Sequence, residues 1–258
     1  MRSYIRIAAL LRFRASSCGR FVKAALVFPL LGVLAACDVP ISPTSPAPRQ
    51  DQQTTPSGET VPEFVRVAAR RFVSVAQRVE PVAERACRQQ APDLNCDFKI
   101  VVDDREDAPI NAFQMVDDQG RPVIAVTVPM IAYVENDDEM AFILSHEAAH
   151  HIARHLDRRR ESTRTGALIF ASAAARGGAS GAALDTAARL GAVLGSRVYA
   201  KDYELEADAV GARIARDAGY NAINGARYFE RSPDPGNKFL GTHPPNANRV
   251  EAVRAALR

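Results

Sequence analysis

Two histidines four residues apart with a glutamate between them, His146-Glu147-Ala148-Ala149-His150, can hold one cation and move a proton beside it. On a helix, side chains at i and i+4 share a face, so both imidazoles can grip the same ion. Glu147 then stands next to that ion, where a carboxylate can take a proton from water whose pKa the metal lowers to about 7. Four of the chain's five histidines fall between positions 146 and 155. At about 100° per residue, His151 and His155 lie roughly 140° and 180° from His146 on a continuous helix, so neither is expected to share the ion. They read as exposed or supporting residues beside Arg154 and Arg158. The pair His151 and His155 has the right spacing but no glutamate in the activating position.

A catalytic zinc takes three protein ligands and leaves one position open. Glu204, 54 residues past His150 in Glu204-Leu205-Glu206-Ala207-Asp208, is the candidate third ligand. Glu206 and Asp202 are the acids that could be confused with it. Asp208 is one turn beyond Glu204 on the same face, which suits a carboxylate that accepts the free N–H of a ligand histidine and fixes its tautomer. Without the first motif the same acids would read as an ordinary solvated helix face.

The elements that must position these residues are legible in part. Asn136 reads as an N-cap with Glu139 three residues on, and acids follow at the positive end of the helix dipole. Met140, Ile143 and Leu144 then predict a helix that buries one side and carries the histidines. Tyr203 to Ala215 reads as the helix bearing Glu204. Phe64 to Gln89 has helical periodicity interrupted near Pro81, and Phe98 to Val102 is a strand. Ala112 to Val116 and Val123 to Val128 flank the turn Asp117-Asp118-Gln119-Gly120, which predicts a hairpin. Pro122 and Pro129 bracket its second arm, as expected for an edge strand able to receive an extended peptide by β-augmentation. Thr165 to Ser196 is dominated by Ala and Gly, and reads either as two packed helices of small residues or as a membrane-facing or substrate-gating hairpin.

The N-terminus bears on location. Residues 1 to 23 carry six basic residues and no acid, residues 24 to 36 form an apolar stretch, and Leu34-Ala35-Ala36-Cys37 has the form of a lipobox. A cleaved bacterial lipoprotein signal is expected, with Cys37 lipidated; an uncleaved anchor is the alternative. Asp38 favours inner-membrane retention under the sorting rule of enteric bacteria, and the choice of membrane stays open. The chain has 33 basic and 30 acidic residues, and removing the six basic residues of the leader leaves 27 against 30, a net charge of −3. The apparent basicity belongs to the leader, so nucleic acid is not an expected partner. Cys87 and Cys96 are the cysteines left in the folded part. In an oxidising envelope an even pair suggests a disulfide, with two free buried thiols as the alternative.

These residues carry a family resemblance. The sequence resembles the membrane-associated zinc metalloproteases of the HtpX, BepA and Oma type, metallopeptidase family forty-eight, of gluzincin architecture. In that family E-x-x-A-D supplies the third ligand from its first Glu, which matches Glu204 to Asp208 here. Asn111-Ala112-Phe113 resembles the family's N-A-F before the substrate-edge strand. Gly241-Thr242-His243-Pro244, followed by Arg249, resembles its C-terminal motif. The resemblance covers about residues 61 to 258, with the motifs in the family's order. A histidine in such a loop can cap the zinc or help hold the oxyanion in relatives, so the resemblance implies that His243 gates or assists the site; the other reading is a solvent-exposed loop residue.

The expected organisation is a signal peptide over 1–36, a lipidated cysteine and flexible linker over 37–62, and a zinc metalloprotease domain over 63–258. The expected fold is α+β and mostly helical, with a small antiparallel sheet and an H-E-x-x-H helix. The expected chemistry is hydrolysis of peptide bonds with one Zn²⁺ per chain, held by His146, His150 and Glu204, with Glu147 as proton carrier. Expected partners are polypeptide substrates, the membrane through the anchor, and envelope assembly machinery. The alternative function is a zinc-latched chaperone or assembly factor with little proteolysis.

Overall fold

The computed structural model describes residues 62–238 and 240–258. The signal segment, Cys37 and all but the last residue of the linker lie outside the described residues.

Helix α1, Glu63–Gln90, presents Phe72, Val75, Ala76, Val79, Val82, Ala83 and Cys87 inward at helical spacing. The break expected near Pro81 does not occur: the helix runs through it. Proline removes one backbone donor and normally costs several kcal/mol inside a helix. Here the carbonyl left unpaired, on Gln77, is on the exposed side, and buried residues on both sides of Pro81 hold the two halves in line. Cys87, in the last turn of the helix, forms a disulfide with Cys96 beyond its end, their Cα atoms 5.7 Å apart. Closing a loop with a sequence separation of 9 restricts the unfolded chain by roughly 2.5–3 kcal/mol and ties α1 to the first strand.

Three strands follow: β1 (Lys99–Asp103), β2 (Ala112–Val116) and β3 (Pro122–Thr127), in the order β1-β3-β2. The hairpin β2–β3 is antiparallel, but β1 joins β3 in parallel, so the sheet is mixed rather than wholly antiparallel. The position of the edge is also a correction. β3, the second arm of the hairpin, is the central strand and is buried along its whole length; β2 and β1 are the edges. Its flanking prolines do not contradict this, because Pro122 opens the strand and Pro129 sits in the first turn of helix α2, Val128–Tyr133. The run Val123 to Val126 is uniformly apolar, the signature of a strand covered on both faces.

Helix α3, Asp137–Ile152, is the central element. Asn136 caps it by accepting from the Glu139 N–H at 3.0 Å, and the Glu139 carboxylate accepts in return from the Glu135 N–H at 3.0 Å. Instead of burying one side, α3 buries 13 of its 16 residues, against α1, the sheet and helix α6 (Ala200–Asp217). The chain then stops and restarts. Arg154 adopts a left-handed backbone with φ 57°, and α4 (His155–Arg176) begins in a new direction. The continuous helix expected through His155 is therefore two helices.

Helices α4 and α5 (Ala182–Arg197) pack against each other through small residues. A Cβ on Gly166 would lie 2.2 Å from the Gly191 carbonyl oxygen, and one on Gly195 would lie 2.1 Å from that of Ser162, so the backbones touch where these glycines stand. The expectation of two packed small-residue helices describes this pair. No helix among the described residues is long and apolar enough to cross a membrane. Helix α6 (Ala200–Asp217) returns to pack on α3. Two single turns, α7 (Ala222–Gly225) and α8 (Tyr228–Arg231), and a last helix, α9 (Asn246–Ala256), close a second apolar cluster around Phe142, Phe229 and Val253.

Glu139 is 1% exposed and accepts from Nη1 and Nη2 of Arg231, at 2.6 and 2.8 Å. Burial pushes its carboxyl up, but Arg231, the Glu135 N–H and Asn136 together bring it below the ordinary glutamate range. A carboxyl depressed on folding stabilises fully above its unfolded pKa of about 4.3, and that contribution fades as pH falls through the depressed folded value. Glu139→Gln is therefore expected to lose about 1.5–3 kcal/mol at neutral pH, with the gap to wild type closing in acid; urea melts at pH 7 and pH 3.5 measure this. A gap that stays constant between those pH values contradicts the assignment.

Candidate active site

The site is built on the second half of α3. His146 and His150, one turn apart, bring their Nε2 atoms to 3.0 Å. Glu204, near the start of α6, adds its carboxylate from the opposite side, with Oε2 3.7 Å from His146 Nε2 and Oε1 3.4 Å from His150 Nε2. One donor atom from each of the three lies within 4.8 Å of the others. The proton arrangement says what belongs between them. His146 Nδ1 lies 3.0 Å from Asp208 Oδ1 and donates there, which in the neutral ring leaves the lone pair on Nε2. Nε2 of His150 faces that lone pair and the Glu204 oxygens, a set of acceptors that a cation satisfies and a proton-poor pocket does not. Bonds of 2.0–2.1 Å at tetrahedral angles place donors about 3.3 Å apart, which the three separations bracket.

Burial, with His146, His155 and Arg249 close by, holds His150 far below the ordinary imidazole range, so it stays neutral as a ligand must be. Glu147, on the same helix, lines the cleft beside these groups. Burial pushes its carboxyl up to about 7; His146 opposes this and Glu204 adds to it. A dication held by His146, His150 and Glu204 would draw the same carboxyl back down, toward the range in which a proton carrier works near neutral pH.

Glu204 and Asp208 are set by the contact between α6 and α3. Gly211 makes that contact possible: a Cβ there would lie 2.9 Å from the Cα and N of His146. A larger residue would lift α6, and both carboxylates with it. Asp208, with no exposed surface, also accepts from Nε and Nη2 of Arg249 at 2.8 and 2.7 Å. Arg249 reaches Glu204 as well, at 3.3 Å, and lies over the Phe229 ring at 4.1 Å. The sequence motif contains Arg249 but implies no role for it. Its signal was there in the spacing: Arg249 and Val253 are one turn apart on α9 and both are buried.

Glu206 and Asp202 do not join the donor set. Glu206 points to the other side of α6, toward His155 and Arg158. His151 and His155 are buried rather than exposed, at 8% and 4%. His151 faces away from the site, with Nε2 2.8 Å from the Asn95 carbonyl oxygen and its ring edge-on to Phe98. His155 instead lies against His150. His243 is 55% exposed and sits at the mouth, with Nε2 3.9 Å from Glu204 Oε2 and Nδ1 3.0 Å from its neighbour's hydroxyl, Thr242 Oγ1.

His146, Glu147, His150, Glu204, His243 and Arg249 open on a cleft of about 570 Å³. One wall is the edge strand, through Asn111, Ala112, Phe113 and Gln114; the other includes Tyr228, Phe229 and Pro233. An edge strand beside paired histidines, a buried glutamate and a carboxylate from a second helix defines a metallopeptidase. The model of peptidase family M48 matches residues 69–257, and the chain belongs to that family. No curated protein sequence matches it.

Proposed function

We propose that this protein is a zinc-dependent endopeptidase of the bacterial cell envelope, lipid-anchored at Cys37 and acting on misfolded or misassembled envelope proteins. The observation that carries the catalytic part is the convergence of His146, His150 and Glu204 with Glu147 beside an open strand edge. Two neutral imidazoles and one carboxylate suit zinc. Bound there, zinc would polarise the scissile carbonyl and lower the pKa of the attacking water.

The chain's own residues do the rest. β2 is bonded on one side to β3 and turns its other edge to the cleft, where an extended substrate can pair with it. Pairing fixes the scissile peptide over the donor set and orders the flexible substrate before chemistry. Glu147 takes the proton from water and returns it to the leaving amine. Asp208 keeps the His146 proton on Nδ1, away from the ligand atom.

The mature protein is expected to digest unfolded casein, to stop on chelation and to recover with added zinc; undigested casein would sink the reading. The second reading, a zinc-latched chaperone, draws on His243 standing 3.9 Å from the Glu204 carboxylate. Under it the wild type binds casein without cutting, and His243→Ala releases cleavage. The envelope location draws on the basic leader, apolar stretch and lipobox. Labelled palmitate is expected to enter the wild type and not Cys37→Ser, and label in that variant would rule the lipid anchor out.

A further inference from the structure

The two histidines of the motif are supported differently. His146 donates from Nδ1 to a carboxylate, Asp208. His150 has no carboxylate there. Its Nδ1 lies 2.9 Å from Nδ1 of His155, whose Nε2 lies 3.2 Å from Glu206 Oε2. The same Glu206 oxygen accepts from Arg158 Nη1 at 2.7 Å.

One proton arrangement satisfies this whole run. His150 keeps its proton on Nδ1 and donates it to the unprotonated Nδ1 of His155. His155 carries its own proton on Nε2 and donates it to Glu206. Arg158 neutralises the carboxylate at the end. The arrangement leaves the lone pair of His150 on Nε2, the atom that faces His146 and Glu204. The opposite tautomer of His155 would bring two N–H groups together at its Nδ1 and leave Glu206 facing a lone pair.

His155 is built into this place. On one unbroken helix it would be about 140° around from His150. The left-handed Arg154 ends α3 and swings the first residue of α4 back onto the site. There the His155 ring is 4% exposed and stacks on Tyr203, with ring centroids 4.8 Å apart and planes 17° apart. Arg158 lies over the Tyr203 ring at 4.5 Å. One turn of α6 thus offers Glu204 to the ligand set and Tyr203 and Glu206 to His155.

We propose that His155 is a positioning residue: through the bond between the two Nδ1 atoms it fixes the tautomer and ring plane of His150, and Glu206 with Arg158 holds His155 in turn. The inference rests on the metal site proposed above.

The test is zinc affinity of the mature protein, by competition with a chromophoric chelator, in wild type, His155→Phe, His155→Gln and His155→Asn. Asparagine places an oxygen near the position of Nδ1 and can accept from His150; glutamine reaches the position of Nε2 and meets only Glu206. Phe and Gln are expected to weaken zinc binding about 10- to 100-fold, and Asn to stay within about threefold of wild type. Rescue by Asn separates a hydrogen bond to His150 from mere filling of the pocket. Equal zinc affinity in all four proteins overturns the role given to His155, as does a loss in Asn as large as that in Phe. A wild type that holds no zinc overturns the metal site itself.

Discussion

Glu147→Gln is expected to lower kcat for casein or a peptide substrate by about 10⁴-fold, the upper end of what a positioned proton carrier contributes. The substitution keeps the shape of the side chain and removes its ability to take a proton. The other ways of losing activity are closed by geometry. Glu147 is not among the donors that converge at the site, so zinc content should stay near one ion per chain. Among the described residues no side chain forms a hydrogen bond to its carboxylate, and the Gln114 backbone N–H that it accepts from can bond an amide oxygen equally. The group is 9% exposed and faces the cleft, where its burial is a standing charge on stability that a neutral amide relieves; the variant should melt no lower than wild type. Turnover within tenfold of wild type in a zinc-loaded variant would assign the proton transfer elsewhere. Loss of zinc together with activity would mean that Glu147 helps hold the ion.

Arg249→Met should have the largest effect on stability. Arg249 and Asp208 form a two-bond pair buried beneath the donor set, and Arg249 also neutralises Glu204. Methionine fills much of the volume and preserves contact with the Phe229 ring, so the loss is chiefly electrostatic. Breaking one side of a buried pair leaves an uncompensated charge and costs about 3–5 kcal/mol. Asp208 has no exposed surface through which water could replace the arginine. Denaturant unfolding of the zinc-free protein measures the effect without the ion as counter-charge. Adding Asp208→Asn should recover part of the loss, because the stranded charge goes with it; the cycle isolates the pair. A loss below about 1 kcal/mol in Arg249→Met would show that solvent reaches this pair and that it is not the support of His146.

The sequence by itself determined what depends on local spacing. His146 and His150 share a face because a helix turns about 100° per residue, and no packing alters that. Asn136 caps α3 because its side chain competes for the backbone N–H three residues on. The pairing of Cys87 with Cys96 was legible because they are the two cysteines left once Cys18 falls in the expected leader and Cys37 is set aside for the expected lipid. The choice of Glu204 over Glu206 was half legible: two residues apart on a helix, they point about 160° from each other, so one at most could join the histidines.

Which one did so was decided by the side of α6 that packs on α3, and Gly211 sets that side by close approach to His146. Tertiary structure alone decided the rest. β3 became the centre of the sheet because β1 pairs with it across an intervening strand, and prolines at its ends say nothing of a partner so distant in sequence. Arg249 met Asp208 from 41 residues away. His155 reached His150 because one residue, Arg154, took a left-handed conformation that its type does not announce. Periodicity reports the angle of a side chain about its own helix axis. It is silent on where that axis ends and on what lies against it.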